Sequence, residues 1–140
     1  MFERGLKIYC DGGARGNPGP AAAAFVAIKN NKVIGQGSKF LGRATNNVAE
    51  YQSVILGLKW LKDQQASLPD RKILMILDSE LVTNQLSGNY RIKSESLRSL
   101  YLAVKNLEKE ISAELSYSWS PRRKNKLADF LVNRELDKNL

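Results

Sequence analysis

The sequence predicts an α/β domain: a mixed sheet whose first three strands are antiparallel, with helices on its faces. Two observations carry that prediction. Segments of strand and helix periodicity follow one another in the order β-β-β-α-β-α-α-β-α, the pattern of a sheet covered by helices. One of them, RKILMILD, is apolar almost without interruption from Ile73 to Leu77, as a strand buried on both faces of a sheet must be.

In GLKIYCD, apolar and polar positions alternate, with Leu6, Ile8 and Cys10 on one face and Lys7, Tyr9 and Asp11 on the other. The strand is expected to end at Asp11, where two glycines follow. AAAAFVAIKN and KVIGQGSKFL flank Asn30-Asn31, a turn signal, and so form a hairpin. TNNVAEYQSVILGLKWLKDQQ is helical: Thr45 or Asn46 can cap it, and Val54, Leu58 and Leu61 recur at helical spacing. After the buried strand come a short helix in SELVTNQLSG, stopped by Gly88, and a longer one over roughly Ser96 to Glu110. AELSYSWS alternates again, placing Leu115, Tyr117 and Trp119 on one face. Trp60 and Trp119 are both expected in the core. Pro121 ends that strand, and NKLADFLVNRELDKNL closes the chain as a helix.

The 140 residues fit one domain spanning 1–140 with a single core. No apolar run approaches the ~20 residues of a membrane helix, and MFERGLKIYC lacks the apolar centre of a signal peptide. The expected location is therefore the cytoplasm. One cysteine excludes an internal disulfide. The net charge of +8 favours polyanionic partners, nucleic acid before an anionic membrane surface. Histidine is absent, which excludes histidine-based triads and metal sites and leaves carboxylates, lysine, hydroxyls or a metal held by oxygen.

Four acids stand at informative places. Asp11 and Asp78 each follow an apolar strand, and parallel strands deliver their C-terminal residues to the edge where α/β sheets bind ligands. Glu50 lies four residues before Val54 and eight before Leu58, so it heads the stripe that faces the sheet. Asp129 opens the last helix behind a run of basic residues. Each also has a structural explanation: a turn residue, a satisfied buried acid, a cap for the helix after Ser79, and a favourable charge near a helix N-terminus. Jointly, they can converge on one edge. Converging carboxylates repel unless hard cations neutralise them, and Mg2+ or Mn2+ suits oxygen ligands. Two such ions about 3.5–4 Å apart are the arrangement for in-line phosphoryl displacement by water.

DGGARGNPGPA, TNNVAEY, LDSELV and NKLAD, in this order, resemble type 1 ribonuclease H over essentially Leu6 to Leu136. The resemblance implies a five-stranded sheet in the order 3-2-1-4-5. It implies endonucleolytic cleavage of the RNA strand of an RNA/DNA hybrid, leaving 5′-phosphate and 3′-hydroxyl ends, with two Mg2+ ions for which Mn2+ can substitute. The family's four acids fall on Asp11, Glu50, Asp78 and Asp129. Substrate contacts are implied for Asn17, Asn46 and Asn47 in the minor groove, where amides can match the ribose 2′-hydroxyl, and for Thr45 on a DNA phosphate. Gly12 and Gly13 would let the backbone approach the nucleic acid. Turn and cap duty is the alternative for the asparagines and for Thr45. A monomer is the expected state.

Three departures from the family pattern stand out. Glu80 takes a position often held by a substrate-touching glutamine. The loop SPRRKNK carries Arg122 and Arg123 but no histidine, so it is expected to hold phosphate rather than shuttle protons. GNYRIKSESLR runs directly into the next helix, without the basic protrusion of some bacterial relatives; Tyr90, Arg91, Lys93 and Arg98 are candidates for part of its basic surface. The competing reading is a catalytically inactive nucleic-acid-binding module of the same fold; a binder of polyanions, however, gains nothing by clustering negative charge.

Overall fold

A computed structural model describes residues 5–140; residues 1–4 of the expected 1–140 domain lie outside the described residues. The chain forms β1 (Leu6–Ala14), β2 (Gly19–Lys29), β3 (Lys32–Ala44), α1 (Asn46–Gln64), β4 (Lys72–Leu77), α2 (Glu80–Leu86), α3 (Glu95–Lys109), β5 (Glu114–Trp119) and α4 (Lys126–Lys138). The five strands make one sheet in the order β3-β2-β1-β4-β5. β1 and β2, like β2 and β3, pair antiparallel, whereas β4 runs parallel to both β1 and β5. The architecture read from the sequence is the one observed.

The β2–β3 hairpin turns at Asn30 and Asn31, with φ of 53° and 62°. Asparagine tolerates that left-handed region better than most side chains, and two such residues in a row match the twist of a tight hairpin. Thr45 caps α1, its hydroxyl accepting the N–H of Val48 at 3.2 Å, while Ser79 caps α2 in the same way through Val82. Asn46 and Asp78 are therefore not the caps.

Alternation in β1 sends side chains to two separate cores. Leu6, Ile8 and Cys10 pack with Tyr51, Val54 and Leu58 of α1 and with Val104 of α3. On the opposite face, Ala22, Ala24 and Val26 of β2 meet Ala128, Leu131 and Val132 of α4. The small alanines leave room for the helix to lie close to the sheet.

Two local expectations are corrected. β1 does not end at Asp11 but runs to Ala14: its parallel pairing with β4 stops at Cys10↔Leu77, while its antiparallel pairing with β2 continues through Gly12↔Ala23 to Ala14↔Ala21. Trp119 is not core. It stands at the last position of the edge strand β5, beyond the helices that cover Leu115 and Tyr117, and is 47% exposed. Trp60 does pack inward, its ring 5.7 Å from that of Phe25.

Candidate active site

The sheet register builds the site. Cys10 and Leu77 are the last parallel partners of β1 and β4, so Asp11 and Asp78 are the next residues on adjacent strands and emerge side by side. Glu50 comes up from the first turns of α1 beneath them and is 1% exposed. Its two carboxylate oxygens are already engaged: Oε1 accepts the N–H of Gly12 at 2.9 Å and Oε2 accepts the N–H of Ser79 at 3.1 Å. One side chain thus ties together the two backbone segments that carry the other acids. Asp11, Glu50 and Asp78 each present an oxygen within 4.8 Å of the others.

Three acids so close do not ionise independently. Burial, then the charge of Asp78, pushes the Asp11 carboxyl up from 3.8 to about 8, with Arg122 opposing the rise. Burial chiefly, and then Asp78 and Asp11, raise Glu50, while its hydrogen bonds from Gly12 and Ser79 pull the other way. Asp78 is raised by burial. Buried carboxylates that raise one another in this way would be relieved by a neutralising cation.

The cluster lines a hollow of about 250 Å³ that also takes in Gly13, Asn46, Asn47 and Arg122. Asp129 borders it but stands outside the group of three. Its Oδ1 accepts a hydrogen bond from Arg122 Nη2 at 3.2 Å, and its side chain is 31% exposed. Arg122 and Arg123 part company: Arg122 lines the acid hollow, whereas Arg123 lines a different one.

Asn17 Oδ1 accepts the N–H of Asn46 at 2.9 Å, and Asn46 Oδ1 accepts the N–H of Ala14 at 2.8 Å. These bonds pin the loop after β1 to the start of α1, so both side chains serve the frame as the turn-and-cap reading expects. Thr45 is a helix cap as well, and Glu80 is exposed in the first turn of α2.

Gly12 has a reason different from the one its sequence suggests. A Cβ there would sit 2.0 Å from the carbonyl oxygen of Ala49, so the close approach it permits is to the backbone of α1. At Gly13 the nearest atom, Asn46 Oδ1, is 3.9 Å away. Gly12→Ala should cost about 3 kcal/mol or more, because backbone cannot yield as a side chain does. Gly13→Ala should stay within about 1 kcal/mol. Urea unfolding of both variants would check the contrast; equal stabilities would refute the packing account.

Sequence reasoning missed Asn125. It is 1% exposed, and its Nδ2 donates to the carbonyl of Cys10 at 2.8 Å, the peptide that leads into Asp11. Its own carbonyl accepts the N–H of Asp129 at 3.1 Å. Asn125 therefore fixes the start of α4, and with it the fourth acid, against β1. The only available signal was an asparagine before a helix, which reads as an ordinary cap; yet its side chain makes no capping bond. Asn125→Ala leaves the Cys10 carbonyl without its partner and should cost about 1–3 kcal/mol. A displaced Asp129 should also lower turnover, by about tenfold or more; a variant of wild-type stability and turnover would refute this role.

A family model described as "Reverse transcriptase-like" matches residues 9–135. Over 132 residues the chain is 38% identical to a bifunctional protein of Mycobacterium tuberculosis, with 93% of this chain and 35% of that protein covered. The chain thus spans about a third of the length of its mycobacterial relatives. It is 35% identical to ribonuclease HI of Halobacterium salinarum, covering 96% of this chain and 67% of that one. Among solved structures, LC11-RNase H1 in complex with an RNA/DNA hybrid superposes with a TM-score of 0.91 at 36% identity, covering 96% of this chain and 98% of the other. A match along almost its whole length, the shared strand order and the converging acids place this chain in the type 1 ribonuclease H family.

Proposed function

We propose that this chain is an endonuclease that hydrolyses the RNA strand of RNA/DNA hybrids and leaves 5′-phosphate and 3′-hydroxyl ends. The observation that carries the reading is the meeting of Asp11, Glu50 and Asp78, from three separate elements, with oxygens within 4.8 Å. The ribonuclease H names of its relatives and the hybrid bound to LC11-RNase H1 support the substrate class.

The donor set fits divalent cations: three carboxylates, no softer ligand, and a buried position that raises the acids' pKa values without one. Asp11, Glu50 and Asp78, with Asp129 at the border, would hold two ions, Mg2+ or in its place Mn2+. When bound, these would polarise the scissile phosphate and lower the pKa of water. Glu50 keeps the two strand segments at a fixed separation, which sets the spacing of the other acids. Arg122 supplies a permanent positive charge at the mouth of the hollow, suited to a phosphate oxygen. Asn46 and Asn47 line the same hollow, and Asn17 is bonded to the Asn46 N–H beside it; their amide NH2 groups are the ones that would read a 2′-hydroxyl. Operation as a cytoplasmic monomer completes the proposal.

Cleavage of a short hybrid, each strand end-labelled in turn, with Mg2+ or EDTA, tests the reading. Only the RNA strand should be cut, and only with the metal. Cutting of both strands, or binding without cleavage in either Mg2+ or Mn2+, would overturn it. In the same assay Arg122→Ala should raise KM several-fold and reduce the slope of log affinity against log salt by about one. An unchanged KM and slope would remove Arg122 from phosphate binding.

A further inference from the structure

A single helix, α4, covers the antiparallel half of its face of the sheet. Beside its N-terminus, that face is open. A hollow of about 360 Å³ has Tyr9 of β1 and Ile28 of β2 as its floor and Arg123–Leu127 as its wall. A second hollow of about 190 Å³ shares Tyr9 and Ile28 and continues to Lys7 and Asn31. Leu127 at the rim is 52% exposed and adds an apolar side chain to that floor.

The rim is cationic throughout. Lys7, Arg123, Lys124 and Lys126 border the two hollows, and no carboxylate does. Some cations elsewhere meet acids, as Arg15 meets Asp137, Lys29 meets Asp70, Lys62 meets Glu110 and Lys105 meets Glu108, while others, such as Lys32, Lys39 and Arg91, meet none among the described residues. Among the described residues, the four at this rim have no such partner.

We propose that this groove docks an acidic peptide segment of a partner protein, which drops one apolar side chain into the hollow and sets its carboxylates on the rim. The volume suits one or two side chains. A hybrid duplex is a stiff rod with a polar edge and has nothing to place on a floor made of Tyr9, Ile28 and Leu127. A lipid surface needs a protruding apolar anchor, and this feature is a recess. Acids on either side of an apolar residue meet both requirements, and charge also speeds the encounter.

The probe is a fluorescein-labelled octapeptide, Asp-Glu-Asp-Leu-Phe-Asp-Glu-Asp, titrated with the full chain and followed by anisotropy at about 0.15 M salt, where loose charge pairing is screened. The expected Kd is on the order of 10–100 μM. Replacing Leu-Phe by Gly-Gly, or all the acids by serine, should each weaken binding at least about tenfold, a loss of about 1.4 kcal/mol. Leu127→Ser, on an exposed side chain, and Lys7→Glu, on a half-buried one of β1 whose folding is checked by its melting curve, should do the same. Equal binding of the Gly-Gly peptide would reduce the interaction to charge alone and overturn the proposal. So would undiminished binding by both variants. No binding of the octapeptide would overturn the proposal too, and a DNA single strand held in a manner sensitive to Leu127→Ser would then assign the groove to nucleic acid.

Discussion

Asp78→Asn should abolish cleavage of the RNA strand and, in the same molecule, raise the melting temperature. The two effects share one cause. Asp78 is next to Asp11 on the adjacent strand, and its charge is the second largest reason, after burial, that Asp11 holds its proton up to about 8. Asparagine keeps the shape and leaves the Asp78 carbonyl, which accepts the indole N–H of Trp119 at 3.2 Å. What goes is one negative charge of a tight group of three. Without it the residues that would hold the cation are reduced by one carboxylate, and turnover should fall by about 10²–10³-fold or more. The folded chain, relieved of a like-charge contact, should melt a few degrees higher at pH 8 without metal. Wild-type cleavage by the variant would remove Asp78 from the chemistry. Lost cleavage with a lowered melting temperature would mean that the substitution had damaged the fold instead.

Mg2+ should stabilise the chain, and more at pH 8 than at pH 5. Asp11 titrates at about 8 when folded and near 3.8 when exposed, so between these values the folded state binds the extra proton. Stability without metal then falls as pH rises through that window, because the folded chain must either keep its proton against the solution or accept a buried charge. A divalent cation takes the proton's place. Its benefit is small at pH 5, where it competes with protons, and large at pH 8, where it meets carboxylates that already repel. Melting curves with and without Mg2+ at the two pH values check the sign. Calorimetry at pH 7 should also show proton release on binding. A stabilisation independent of pH, with no proton released, would separate the cation from Asp11.

Most of the frame was legible because it rests on local periodicity. The alternation of Leu6, Ile8 and Cys10, the asparagine pair at the hairpin and the apolar run of β4 each dictate one element, and the observed sheet contains all three. Glu50 was legible for the opposite reason: an acid at the head of a buried stripe contradicts its surroundings, and it is found buried against both strand ends. What could not be read depends on neighbours distant in the chain. Nothing near Gly12 announces the carbonyl of Ala49, and nothing near Asn125 announces that of Cys10, 115 residues away. The end of β1 was misplaced because a strand has two edges: pairing with β4 stops before Asp11 while pairing with β2 carries on. Trp119 follows its alternation faithfully, but periodicity gives the face of a strand and not how far along it the covering helices reach. Arg122 and Arg123 look equivalent in sequence, and the short helical turn over Arg122–Lys124 sends them to different hollows.

The double hydrogen bond of Glu50 bears on how an inert version of this chain should be chosen for capturing an uncut hybrid. Such a variant must lose chemistry and keep shape. Glutamine at position 50 has one acceptor where the wild type uses two, so its amide NH2 would be turned toward the N–H of either Gly12 or Ser79, donor facing donor. One of the two strand segments would then be pushed from its place, and the trapped complex would depict a widened site. Asp78 carries no such duty toward the backbone through its carboxylate, and its amide analogue is the better decoy. Of the three clustered acids, the one set deepest is also the strut.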